Sequence, residues 1–107
     1  MEVVTKVVEC GPLRSVLVRR LRRSERNSAM AAAGMNPENI GSVLKYQEYL
    51  TRMVIVEAKV GVEFRTVTEA GLKMASAEVY DAIPDAALRE IAEFSFANAI
   101  PEILKGN

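Results

Sequence analysis

The stretch Asn36–Val60, NPENIGSVLKYQEYLTRMVIVEAKV, decides the fold of this chain. Asparagine is a good N-cap and proline is favoured at the first helical position, so Asn36-Pro37 predicts the start of a helix. Apolar residues then recur at spacings of three and four, which is the periodicity of an amphipathic helix. The pattern predicts one long helix over about residues 37–60, with the other segments packed around it.

This predicted helix carries two apolar stripes. The first comprises Ile40, Val43, Leu44, Gln47, Leu50, Thr51, Val54 and Ala58, and the second comprises Tyr46, Tyr49, Met53, Val56 and Val60. A helix with two such stripes is buried on both sides by its own domain, or on one side by its domain and on the other by a partner. The partner interpretation assigns the contact surface to Tyr46, Tyr49, Met53 and Val56, and an ordinary core is the alternative.

The end of the stretch fits a second interpretation. Met53-Val-Ile-Val56 is rich in β-branched residues, which favour strands over helices. A strand from 52 to 60 therefore competes with the helix, and the sequence leaves this choice open.

The segments on either side predict smaller elements. Valine-rich runs flank Gly11-Pro12 and predict a β-hairpin with strands near 2–9 and 14–21. Residues 24–33 are alanine-rich and predict a short helix. Residues 62–66 alternate and predict either a short third strand or an extended linker, and residues 65–75 are expected to be irregular because Gly71 disfavours a helix.

The C-terminal third predicts two further helices. Ser76 is a suitable N-cap for a short one. Because the residue before a proline avoids the helical region, Ile83-Pro84 marks a boundary, and a helix is expected over 86–99. Pro101 then restarts a last turn at 102–105. The predicted fold class is α+β: one domain over 1–107, with an N-terminal β-hairpin packed on about four helices, of which the central one is long.

The composition argues against catalysis and metal binding. The 107 residues include no histidine and one cysteine, Cys10, so the chain has no histidine-containing triad and no structural zinc site. We also find no phosphate loop and no dinucleotide-binding glycine pattern. We therefore expect no catalytic residue, metal or cofactor and a protein that is not an enzyme, with Cys10 as an inert small apolar residue.

Other features suggest the compartment. A lone cysteine suits a reducing environment, and acid and lysine interrupt the apolar run of the N-terminus, unlike in a signal peptide. The apolar run Met53–Val56 is far too short to span a bilayer. We expect a cytoplasmic protein with no membrane partner.

Arginine is concentrated in one segment. Residues 14–26 contain six arginines, with Glu25 as the only acid. Arginine binds phosphate and carboxylate groups as a fork. Arg19, Arg20, Arg22, Arg23 and Arg26 are therefore candidates for contact with an acidic protein, including a second copy of this chain, or with nucleic acid. A solvated surface that discourages strand aggregation is the third interpretation.

The layout of the chain resembles the tail assembly chaperones of long-tailed bacteriophages. The resemblance lies in the phrase Leu21-Arg-Arg-Ser-Glu-Arg26 after the β-rich N-terminus, in the long middle helix, and in Val79-Tyr-Asp-Ala-Ile-Pro-Asp85 before the last helix. It implies a non-enzymatic role in which the protein coats a tape-measure or other tail protein, self-associates, and works in the host cytoplasm. It also implies that the stripe Tyr46, Tyr49, Met53 and Val56 would contact the partner.

Overall fold

The computed structural model describes residues 4–97, which form five strands and four helices. In chain order these are β1 (Thr5–Gly11), β2 (Arg14–Arg19), α1 (Arg23–Ala33), α2 (Ile40–Val54), β3 (Ile55–Lys59), β4 (Thr66–Glu69), β5 (Leu72–Ala75), α3 (Ala77–Asp81) and α4 (Asp85–Ser95). Strands β1, β2 and β3 form an antiparallel sheet in that order, and β4 and β5 form a separate pair. The α+β class is confirmed. The last helix ends at Ser95, earlier than the predicted 99, and Phe96 after it has non-helical angles, φ −151° and ψ 29°. The predicted turn at 102–105 lies outside the described residues.

The N-terminal hairpin is present as predicted. Val8 pairs with Val16 across β1 and β2, and Val7 pairs with Leu17. Because successive residues of a strand face opposite sides, Val8, Val16 and Val18 lie in the core while Val7 is exposed on the other face. The hairpin therefore has one apolar face covered by the helices and one face that meets solvent.

The prediction of one helix over 37–60 is wrong at both ends. The helix ends at Val54, and Ile55 is extended, with φ −76° and ψ 118°. The chain continues as β3, in which Ile55 pairs with Val18 and Ala58 with Val16. The competing strand interpretation was therefore correct for Ile55–Lys59, since β-branched residues that can pair with an available strand gain more as strand than as helix.

The start of α2 also lies later than predicted. Asn39 is the N-cap, and its side-chain oxygen accepts from the Ser42 N–H at 3.3 Å. Asn36 instead forms a turn in which its Oδ1 accepts from the Glu38 N–H at 3.0 Å. Asparagine can cap a helix or bond the backbone two residues on, and the second use prevailed at Asn36.

A second hairpin occupies the segment that the sequence analysis expected to be irregular. Thr66 pairs with Ala75 and Glu69 pairs with Leu72. The turn between them is Ala70-Gly71, with positive φ values of 53° and 81°. Positive φ at both central residues is the geometry of a two-residue hairpin turn. Of the two alternatives for residues 62–66, the strand is wrong for 62–65, which belong to no strand, and the third strand of the first sheet is β3.

Helix α2 lies at the centre of the fold and contacts α1, α3, α4 and β5. Around it the core is built from aliphatic residues of every layer, with Tyr46 as a large central side chain. The fully buried members include Val8, Val16, Val18, Tyr46, Leu50, Val54, Val60, Val79 and Ile91. The N-cap at Ser76 is confirmed, because its hydroxyl accepts from the Val79 N–H. None of the described helices is long and apolar enough to cross a membrane.

One charged residue lies within this core. The Arg52 side chain is only 1% exposed. Its Nε donates to the Ala75 carbonyl at 2.8 Å, and its two terminal nitrogens donate to Glu48 at 2.8 Å and to Glu69 at 3.0 and 3.1 Å. Burial lowers the pKa of the Arg52 guanidinium, but the Glu69 and Glu48 carboxylates raise it by more, so the net shift of its pKa is upward. Arg52 therefore ties α2 to the second hairpin.

Candidate functional site

The arginines that follow β2 surround a cavity of about 350 Å³. It lies where the connection from β2 to α1 meets the end of α4. Its walls are Arg20, Leu21, Arg22, Arg23, Arg26, Glu93, Phe94, Ser95, Phe96 and Ala97. Residues from the two ends of the described chain thus form one site, which we call the arginine cavity.

Backbone and ring contacts hold the two sides of the arginine cavity together. The Leu21 N–H donates to the Ser95 carbonyl at 2.9 Å, which joins the start of the α1 segment to the end of α4. The Arg20 guanidinium lies 4.7 Å from the centre of the Phe94 ring, a cation–π distance. These contacts fix the position of α4 relative to the arginines.

Arg19 is separate from the other four arginines that the sequence analysis grouped with it. Its two terminal nitrogens donate to the Glu25 carboxylate at 2.8 and 2.6 Å, and one also donates to the Met53 carbonyl at 3.0 Å. Burial raises the pKa of Glu25, but its bonds with Arg19 and with the Arg22 N–H lower it more, so the net shift is downward. Arg19 therefore stabilises the fold.

Arg20, Arg22, Arg23 and Arg26 do line the cavity together. Within residues 4–97, no carboxylate lies within ion-pair distance of these four side chains. Among residues 4–97, the wall holds four arginines and one acid, Glu93. The N-terminus of α1 beside it already holds a carboxylate of this chain, because Glu25 accepts from the Arg22 N–H at 2.9 Å, so the arginine side chains are the donors that the cavity offers. The site is built to attract negative charge.

Ser95 adds an unsatisfied donor to this wall. The residue is 6% exposed, and its hydroxyl has no hydrogen-bond partner in the described structure. A buried hydroxyl without a partner is uncommon, because leaving it unpaired costs about 1–3 kcal/mol. The sequence analysis missed Ser95 and Phe94, since they are about 70 residues from the arginines and only the packing of α4 brings them there.

The apolar stripe assigned to a partner has a different environment from the one expected. Tyr46, Tyr49 and Met53 are buried in the core of this chain. Val56 belongs to β3 and is 43% exposed. Burial also raises the pKa of Tyr46. These four residues therefore do not form a continuous exposed surface on one helix, and the core alternative describes the first three.

Exposed apolar side chains occur instead on the first stripe. Ile40 is 63% exposed and Leu44 is 57% exposed, and they are one turn apart on α2. Further along α2, Gln47 and Thr51 line a groove of about 270 Å³. Its other walls are Tyr80, Leu88, Arg89, Ala92 and Phe96. We call this the α2–α4 groove, and Phe96 forms part of its wall and of the arginine cavity.

Cys10 and the candidate metal ligands of residues 4–97 were the other groups to place. Cys10 is buried, its thiol donates to the Val8 carbonyl at 3.6 Å, and burial raises its pKa, so the reactive thiolate is disfavoured. Across residues 4–97, no three histidine, cysteine or acidic side chains gather as metal ligands would.

Comparison with known proteins adds no assignment: no protein family, no curated protein and no solved structure matches this chain. The function therefore has to be inferred from the two surfaces described above.

Proposed function

We propose that this chain is a non-catalytic assembly protein that acts by contact with another protein. The observation that carries the proposal is the exposed pair Ile40 and Leu44, which leads along α2 towards the α2–α4 groove. Burying a whole aliphatic side chain stabilises by about 1.5–3 kcal/mol. Ile40 and Leu44 are both more than half exposed, so a partner that covered them would bind with part of this energy.

The groove suits an amphipathic helix as its occupant. A helix placed in a groove uses apolar side chains at intervals of three and four residues, which is also the spacing of Ile40 and Leu44 on α2. Arg89 in the groove wall, and the arginine cavity on the other side of Phe96, favour acidic residues at the ends of such a helix. The proposed partner is therefore a helical protein segment with an apolar face and acidic flanks.

The resemblance to phage tail assembly chaperones gives this partner its proposed identity, a tape-measure or other tail protein. It also includes self-association in the proposal. The opposite charge balance of the two parts of the chain is compatible with head-to-tail contact between copies, since residues 1–60 carry ten basic and six acidic residues and residues 61–107 carry four and eight.

Co-expression tests the proposal. The chain would be produced with the product of a long neighbouring reading frame, and co-purification would be measured for the wild type and for Ile40→Ser/Leu44→Ser. Leu13→Ser is the matched control, since Leu13 is a fully exposed apolar residue on the first hairpin turn. We expect the double variant to lose the complex and the control to retain it. A chain that stays monomeric by light scattering and captures no such product would refute the proposal.

A small nucleic-acid-binding protein is the second candidate, and the arginine cavity favours it. Arg20, Arg22, Arg23 and Arg26 have guanidinium groups without carboxylate partners within the described chain. Phosphate contacts of this kind weaken as salt rises. Fluorescence anisotropy with a labelled oligonucleotide at 50 and 200 mM salt measures it, with Arg22→Ser/Arg23→Ser as the variant and Arg19 left intact because it stabilises the fold. Binding that is insensitive to salt and to this variant removes the second candidate.

A further inference from the structure

The arginine cavity has a size and a wall that suit a small organic anion better than a bare ion. Its volume of about 350 Å³ falls within the range of small-molecule sites, about 300–1,000 Å³. Phe94, Phe96 and Leu21 give the wall an apolar part, and the arginines give it a charged part. A molecule with an anionic end and an apolar or planar body matches both.

The charge of the wall indicates which anion. Among residues 4–97, four arginines and one glutamate in the wall leave a net charge of +3. A carboxylate carries one negative charge and two acceptor atoms, whereas a phosphate monoester carries about 1.5–2 negative charges and three acceptor oxygens. Arginine forks are donors that proteins use for phosphate.

The second wall of the cavity separates this cluster from a solvated arginine surface. The Leu21 N–H donates to the Ser95 carbonyl at 2.9 Å, and the Arg20 guanidinium lies 4.7 Å from the centre of the Phe94 ring, so the end of α4 is held against the arginine segment. The space between the two segments is lined by aromatic as well as basic residues. Arginines on a flat solvated surface would enclose no such space.

We propose that the arginine cavity binds a phosphate monoester of nucleotide size. Arg22, Arg23 and Arg26 at the start of α1 take the phosphate, and the organic body lies against the wall that Phe96 contributes. This site shares its arginines with the acidic flank proposed for the helical partner, but it does not need the α2–α4 groove to be occupied, so it can be tested on the chain alone.

Calorimetric titration of the full chain at low salt, in a buffer free of phosphate and sulfate, tests the site. The probes are adenosine 5′-monophosphate, adenosine and inorganic phosphate. We expect the monophosphate to bind with a Kd below about 1 mM, inorganic phosphate to bind roughly tenfold more weakly, and adenosine not to bind. Equal binding of adenosine and its monophosphate, or no binding of the monophosphate, overturns the proposal.

Variants connect that binding to the cavity. Arg22→Ser and Arg26→Ser are each expected to weaken the monophosphate roughly tenfold, because each removes a charge-assisted hydrogen bond. Arg65→Ser is the matched control, because Arg65 is an exposed arginine outside the cavity, and it should leave the affinity unchanged. An equal effect of the control and the cavity variants refutes the assignment.

A nucleic-acid backbone is another source of phosphate, and it is tested in a separate experiment. A single-stranded oligonucleotide without terminal phosphates presents only phosphodiesters. We expect it not to displace the monophosphate at equal phosphate concentration. If it does, the cavity recognises a nucleic-acid backbone and the monoester proposal is overturned.

Discussion

Replacing Arg52 with methionine tests whether the buried guanidinium holds the second hairpin on α2. The substitution keeps an unbranched side chain that reaches about as far as the arginine Nε, and it removes all four hydrogen bonds to Glu48, Glu69 and the Ala75 carbonyl. The Ala75 residue is fully buried, so its carbonyl would remain unpaired at a cost of about 1–3 kcal/mol. The resulting variant should fold but be clearly less stable.

The magnitude depends on where the two carboxylates lie. Breaking a fully buried ion pair costs about 3–5 kcal/mol. Glu48 and Glu69 are 25% and 40% exposed, so water can solvate them once Arg52 is gone, and the cost falls below that range. Methionine also avoids the desolvation of the guanidinium. We expect a loss of about 2–3 kcal/mol in the free energy of unfolding.

Urea unfolding followed by circular dichroism measures this loss. For a slope of about 1–3 kcal/mol per molar urea, a loss of about 2–3 kcal/mol lowers the midpoint by roughly 0.7–3 M without a change of slope. Arg65→Met is the control, because Arg65 is two-thirds exposed and its contact with Glu63 is 3.6 Å long, so its loss should be below about 0.5 kcal/mol. If Arg52→Met and Arg65→Met had equal midpoints, the role assigned to Arg52 would be refuted.

Three further predictions concern other residues. The hydrogen bond from Arg52 lowers the pKa of Glu69 from its ordinary 4.5. The stability that this carboxylate contributes is therefore present above about pH 4.5 and is lost as the pH falls through the lowered pKa. Glu69→Gln should remove this loss from a curve of unfolding free energy measured between pH 3 and 7. Gly71→Ala should lower the free energy of unfolding by about 1 kcal/mol, because Gly71 has φ 81°. Ala70→Gly at the neighbouring turn position should change it by less than about 0.5 kcal/mol. The midpoint of urea unfolding measures both effects. Ser95→Ala in the free protein should leave the thermal midpoint equal or higher, since it removes an unpaired buried hydroxyl, and a fall of several degrees would contradict that environment.

Local signals in the sequence were sufficient for much of the fold. The Gly11-Pro12 turn, the glycine after α1 and the cap at Ser76 are each fixed by residues within a few positions, and the structure has all three elements. The end of α2 was not decided locally. Ile55–Lys59 has both helical periodicity and β-branched residues, and only the availability of β2 as a pairing strand makes it a strand.

The second hairpin was missed for a different reason. Its strands are four residues each, and the Thr66–Glu69 strand also has the spacing of a capping box. A two-stranded hairpin is marginal on its own, so its presence depends on α2 and on Arg52. No sequence pattern within residues 66–75 indicates the contacts with α2 and Arg52 that stabilise this hairpin.

The candidate site shows the same division. The arginines could be named from the sequence because they are neighbours along the chain, but Arg19 could not be separated from them without the position of Glu25 in α1. Tertiary packing also decides which of the two stripes of α2 is buried. The stripe with the large side chains Tyr46 and Tyr49 fills the centre of the core, and this leaves Ile40 and Leu44 exposed.

The Arg52 network also constrains how this chain can diverge. Two of its acceptors are side chains and one is a backbone carbonyl, which any residue at position 75 would supply. Substitution of Arg52 in a descendant would therefore be expected to coincide with replacement of Glu69 by an uncharged residue, whereas position 75 is restricted only in size. An alignment of homologous chains should show correlated change between positions 52 and 69, which are seventeen residues apart. Chains that lack the arginine–glutamate pair should also lack the second hairpin, and chains that have the hairpin should retain the pair.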